Sequence, residues 1–205
     1  MSKNVIFIGL LIVAIVVGYL IWKGSLGNKG KPAADKAMVV KTHSVAFNNK
    51  VDSLLSQYLI IKDAFVEADT AAVKIATAGF INALDALDMT ELNNDKKAVL
   101  ATAQASVNDV KLNAESLLNQ NSITEMRKDF SMMTDMMYPS FFKSINYEGT
   151  RLYLQNCPMA FDGDKGANWL STEAAILNPY LGKNDPTYKA GMLRCGEVKD
   201  SVGFK

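Results

Sequence analysis

Four segments with helical hydrophobic spacing follow one another with only two or three residues between most of them. No other feature of the chain restricts its fold as much. Residues 46–67 carry Phe47, Val51, Leu54, Leu55, Tyr58, Leu59 and Phe65 at helical intervals, and residues 70–87 carry Val73, Ala76, Phe80, Leu84 and Leu87 behind Asp69 as an N-cap. Residues 91–118 repeat the pattern with Val99, Ala103, Val107, Val110, Ala114 and Leu117. The fourth segment opens on Ser122-Ile-Thr-Glu125, a capping-box word, and continues through Met126, Phe130, Met133, Met137 and Phe141, with Pro139 set to kink or stop it. Short links make neighbouring helices antiparallel, and no single stripe can leave water alone. The expectation is an all-α, up-down four-helix bundle over residues 46–147. Met126, Met133 and Met137 serve as core fillers in it, and Met132 and Met136 face an adjacent side.

From Glu148 onward Gly, Pro, Asn and aromatic residues replace the helical period. Leu152 and Leu154 flank Tyr153 and hint at a short strand. Residues 148–205 therefore read as an irregular cap, and so apolar a segment must be held by docking, a crosslink or a ligand. Trp169 is expected to pack this cap onto the bundle.

At the other end, residues 5–22 are apolar and uncharged, and as a helix they would span about 27 Å, close to a bilayer's hydrocarbon core. A membrane anchor or signal over residues 1–23 is expected. The anchor is favoured because Trp22-Lys23-Gly24-Ser25 is a poor cleavage site. Residues 24–45 read as a tether. Lys23, Lys29, Lys31 and Lys36 follow the apolar run, and the positive-inside rule alone would place the body in the cytoplasm.

Several function classes are excluded. Lys and Arg number 22 against 21 Asp and Glu, a net charge of +1, so no basic excess points to nucleic acid. One His and two Cys rule out poly-imidazole and four-thiolate metal centres within one chain. Phosphate-binding glycine loops, a c-type haem word and paired acid/base residues are missing, so no enzymatic activity is expected. His43, next to the tether, is expected to be exposed. Asp162, Asp164 and Glu173 only partly fit a calcium loop, because Gly166 and Ala167 stand where an oxygen ligand and a glycine are wanted; a solvated turn is the expectation.

The chemistry-bearing words are Cys157-Pro158-Met159 and Met192-Leu193-Arg194-Cys195-Gly196. Two thiolates and two thioethers brought together suit Cu(I) or Ag(I), which would make Cys157, Met159, Met192 and Cys195 a ligand set. The rival is a disulfide, which in an exported protein would stabilise by about 3–4 kcal/mol on the chain-entropy estimate. The residues leave both open.

Cys157-Pro-Met-Ala160, Gly166-Ala-Asn-Trp-Leu-Ser171, Asn178-Pro-Tyr180 and Met192-Leu-x-Cys-Gly196 together resemble an uncharacterised bacterial domain. That domain is found in exported proteins, largely from Bacteroidetes, and at the C-terminus of periplasmic adaptor subunits of heavy-metal efflux pumps. Arg127-x-x-Phe130-Ser131 is similar to the family's last helix, and residues 182–191 lengthen a link that is usually short. The resemblance covers residues 47–197. It implies an inner-membrane-anchored chain facing the periplasm, and a copper-binding accessory or chaperone that meets an efflux adaptor or pump. A disulfide-stapled interaction module is the alternative, and the two can be redox states of one thiol pair.

Overall fold

The computed structural model describes residue 19, residues 43–161 and residues 164–203. The described residues from 43 onward belong to one compact unit. Helix α1 (Val45–Val66) is capped by Ser44, whose hydroxyl accepts from the Phe47 amide at 3.1 Å. Helix α2 (Thr70–Asp85) is capped by Asp69 through the Ala72 amide at 2.9 Å, as its sequence predicts. The third stripe divides into a 3-10 turn (Thr90–Asn94) and α3 (Lys97–Asn119). Helix α4 (Ile123–Asp135) is capped by Ser122 through the Thr124 amide rather than through Glu125, so the box closes one residue short. A π-helical turn (Met136–Phe141) continues it until Tyr138, which leaves helical geometry at φ −132°, ψ 124°, immediately before Pro139. The kink falls where proline's preference acts on the residue before it. A short α5 (Phe142–Ser144) ends the helical part.

The fold is not all-α. Residues beyond 148 build a three-stranded antiparallel sheet, ordered β2-β1-β3, from β1 (Leu152–Phe161), β2 (Lys165–Ser171) and β3 (Glu197–Val202). The chain is mixed α and β. The alternation that signals a strand from sequence is weak here, because β3 sets only Val198 and Val202 among polar residues and is nearly all exposed, and β1 carries Pro158. A central strand tolerates that proline because its register with β2 shifts between Cys157 and Phe161, and its pairing with β3 stops at Asn156. No ladder hydrogen bond is asked of the missing N–H. Among the described residues no helix is long and apolar enough to cross a membrane, and the expected anchor over residues 1–23 lies outside them apart from Tyr19.

One core serves helices and sheet. Phe130 of α4 lies 5.0 Å from both the Tyr58 and Phe65 rings of α1, and 6.0 Å from the Tyr180 ring of the tail. Met126, Met133 and Met137 are buried in this core, and Met132 is exposed. Trp169 of β2 is fully buried, as expected of the residue that docks the cap.

The junction is polar as well as apolar. The Tyr58 hydroxyl stands 2.6 Å from Thr134 Oγ1 and accepts from the Leu170 amide at 3.1 Å. Burial holds it well above the usual phenol range, so it stays protonated. His43 is buried rather than exposed. Its ring reaches the Ile145 carbonyl at 2.9 Å, with Glu91 at 3.4 Å and Asp95 at 3.6 Å. Three polar partners and the Phe47 ring, 4.8 Å away, give it a place in the fold that its position beside the tether does not suggest.

Two outcomes test this assembly. Tyr58→Phe leaves the Leu170 amide without its acceptor in a dry core and is expected to cost about 1–3 kcal/mol, read from urea unfolding. Gly182→Ala would drive its methyl into the Val66 carbonyl, whereas a methyl at Gly191 meets open space. The first is expected to lower the midpoint of thermal unfolding by several degrees and the second to leave it unchanged, by differential scanning calorimetry.

Candidate functional site

Three separate stretches of the tail converge on the middle of β1. Cys157 sits opposite Ala167 of β2 and is fully buried. Cys195 arrives from the far side through a 3-10 turn (Ala190–Met192), its amide donating to the Met192 carbonyl at 2.9 Å. The two sulfurs stand 2.7 Å apart. Gly196 makes that approach possible. Its φ is +139°, and a Cβ there would lie 2.8 Å from both the Asn156 carbonyl oxygen and the Trp169 ring.

Asn178 fixes the third stretch. Its side-chain amide donates to the Cys195 carbonyl at 2.9 Å, and its Oδ1 accepts from the amides of Tyr180 at 2.8 Å and Leu181 at 3.0 Å. Its own backbone N–H donates to the Leu193 carbonyl at 2.9 Å. Tyr180 then donates its hydroxyl proton to the Asn168 carbonyl in β2, with its ring 5.4 Å from Phe161 and 6.1 Å from Trp169. The Cys-Pro-Met, Asn-Pro-Tyr and Met-Leu-x-Cys-Gly words thus meet because one buried asparagine satisfies several backbone groups at once.

The electrostatics of the thiol pair are plain. Burial, and then the neighbouring Cys157 sulfur, push the Cys195 thiol up to about 11. At neutral pH the fraction ionised is on the order of 10⁻⁴. The thiolate, not the thiol, attacks a disulfide, so Cys195 is a slow nucleophile when reduced.

Of the four ligands expected from sequence, Cys157 and Cys195 are brought together. Met159 is exposed and lines a separate groove beside Arg127 and Tyr188. Met192 is half-buried and packs against the apolar core. No metal site of the ordinary kind accompanies the thiol pair: among the described residues, no group of three or more His, Cys, Asp and Glu side chains is placed to hold an ion. The calcium word falls partly outside the described residues, at positions 162 and 163.

Sequence reasoning named Arg127 only within the word similar to the family's last helix, without a role, and passed over Asp185; both are buried. A signal for Arg127 exists. It lies seven residues before Thr134, which is also buried, so the two widen the Met126–Met133 stripe of α4 by one helical row.

Reduced protein is expected to alkylate slowly at Cys195. The iodoacetamide rate should keep climbing tenfold per pH unit past pH 9, where an ordinary cysteine levels off, and peptide mass spectrometry over a pH series reads this directly.

Residues 54–147 match a family described as "Protein of unknown function (DUF3347)". The match begins inside α1 and stops before β1, so it spans the helical part and leaves the sheet and both cysteines outside it. No curated protein and no solved structure matches the chain. The helical part carries a domain similar to a family without an assigned activity, which agrees with the uncharacterised character expected from sequence.

Proposed function

We propose that this chain is a non-enzymatic interaction module of the cell envelope whose sheet is stapled by a Cys157–Cys195 disulfide. The carrying observation is the 2.7 Å approach of the two sulfurs across the β1–β3 side of the sheet. A disulfide needs them about 0.7 Å closer, a shift within side-chain torsions. Closure takes two protons and two electrons from the thiols. Both pass to a disulfide donor, whose own sulfur–sulfur bond breaks to a dithiol. The raised Cys195 pKa favours the closed form, because that thiolate is unstabilised and leaves slowly. Oxidising compartments are where such bonds persist, and the uncharged run at residues 5–22 is the kind of sequence that directs a chain there. The resemblance to domains of efflux adaptors supports a protein partner in the envelope.

The staple acts on a weak point. β3 is short, polar and almost entirely exposed, so it contributes little apolar burial of its own. Fixing its entry at Cys195 holds it against β1 where packing does not.

Chain isolated from an extracytoplasmic compartment without reductant is expected to lack free thiols, by maleimide labelling and intact mass. Cys195→Ser is expected to lower stability by about 3–4 kcal/mol relative to the oxidised chain and by much less relative to the reduced one. Two free thiols that a glutathione disulfide buffer fails to close would overturn the reading. So would one-to-one Cu(I) uptake that shields both thiols.

A further inference from the structure

A groove of about 370 Å³ opens between the first turns of α4 and the loop that carries Tyr188, within the range of small-ligand sites. Arg127 is among its lining residues, and its side chain is only 6% exposed. Nε donates to the Pro179 carbonyl at 3.0 Å. Nη2 is buried with no hydrogen-bond partner, and Nη1 stands 3.9 Å from Asp185 Oδ2, too far for a hydrogen bond. One nitrogen of a buried guanidinium is therefore left unsatisfied and the other has only a long ion pair, an arrangement that costs free energy unless an acceptor arrives. Burial lowers its pKa below the ordinary arginine value, with Asp185 offsetting only part of the effect.

We propose that this groove binds a carboxylate carrying an apolar body, with Arg127 as its anchor. Nη1, held only by the long ion pair with Asp185, and Nη2, which has no acceptor, form a fork that matches the two oxygens of a carboxylate once the side chains over Nη2 give way. Asp185 decides the charge. Its carboxylate already neutralises much of the guanidinium, and a dianionic phosphate would face it directly, so a monoanion fits. Met159, Phe161 and Tyr188, with Pro186, offer an apolar wall for the rest of the ligand. Met159, exposed and adaptable, finds a use here that the thiol pair does not give it. The acid could be a free small molecule or the carboxyl end of a peptide, since the chemistry that recognises them is shared. The site stands apart from the thiol staple and does not depend on it.

Titration calorimetry of the full chain with N-acetylphenylalanine, its neutral amide and hexanoate tests the proposal. Saturable one-to-one binding of an acid with a Kd at or below about 1 mM, and no binding of the amide, is expected. Preference for N-acetylphenylalanine assigns a peptide end and preference for hexanoate a small acid; either supports the site. Arg127→Gln should abolish binding. Because Arg127 also holds the Pro179 carbonyl, that variant can unfold, and Asp185→Asn supplies the independent arm. Asparagine keeps the Oδ1 that accepts from the Thr187 and Tyr188 amides, at 2.9 and 2.8 Å, and removes the competing charge. Affinity for the acid should rise about tenfold in it. Unchanged or weaker binding in folded Asp185→Asn, equal binding of acid and amide, or no saturation by either acid overturns the proposal.

Discussion

The Tyr58 hydroxyl sits where two helices and a strand edge meet, and its protons can be placed in a way that satisfies every group there. Thr134 donates to the Phe130 carbonyl of its own helix at 3.0 Å, which leaves its oxygen free to accept from Tyr58. The Tyr58 oxygen in turn accepts from the Leu170 amide. Each hydroxyl has one proton, so the relay runs from strand to α1 to α4 without an orphan. Leu170 belongs to β2, an edge strand, and its outward amide would otherwise be an unpaired donor in an apolar setting. The helical core thus supplies the hydrogen bond that a fourth strand would have supplied. With β2 fixed in this way, Trp169 and Asn168 are fixed too, and so is the side of β1 on which Cys157 lies.

The helical part was legible from sequence because its signals are local. Stripes at helical spacing, Asp69 and Ser122 as caps, and Pro139 as a stop each act within a few residues, and the structure keeps all of them. The sheet was not legible, for a physical reason. β3 has only two valines, Val198 and Val202, to announce it, and its place comes from backbone pairing with β1 and from contacts such as Lys143 with Asp200, far apart in sequence. His43 was misread for a similar reason. Its partners Glu91, Asp95 and Ile145 are brought by other elements, and nothing within its own stretch signals burial.

The thiol pair shows how a sequence can name the right residues and leave their chemistry open. Cys157 and Cys195 meet, as either a disulfide or a metal site requires. What separates the two readings is the surroundings, which sequence spacing does not carry. A site built to hold a soft cation lowers its thiol pKa values and gathers further ligands. Here burial raises the Cys195 value, and Met159 lies on another groove. The raised Cys195 pKa and the close approach of the two sulfurs are the observations on which the disulfide proposal rests.

Residues 178–188 link that pair to the groove. Asn178 holds the Cys195 carbonyl at one end of the stretch, the Pro179 carbonyl accepts from Arg127 next to it, and Asp185 caps the turn that carries Tyr188. The Lys183 amide also donates to the Val66 carbonyl at the end of α1, at 2.8 Å. The stretch is therefore pinned to the Cys195 segment, to α4 and to α1 by hydrogen bonds to backbone groups, beside the packing of the buried Tyr180 and Leu181 side chains. Backbone anchoring of this kind leaves side chains such as Tyr188 free to face outward while their positions stay fixed. That is the condition a binding groove on a loop must meet, since a rigid loop loses little conformational freedom when a ligand arrives. The thiol pair and the groove lie at opposite ends of one stretch, and the buried guanidinium gives that stretch something to recognise whatever the state of the thiols.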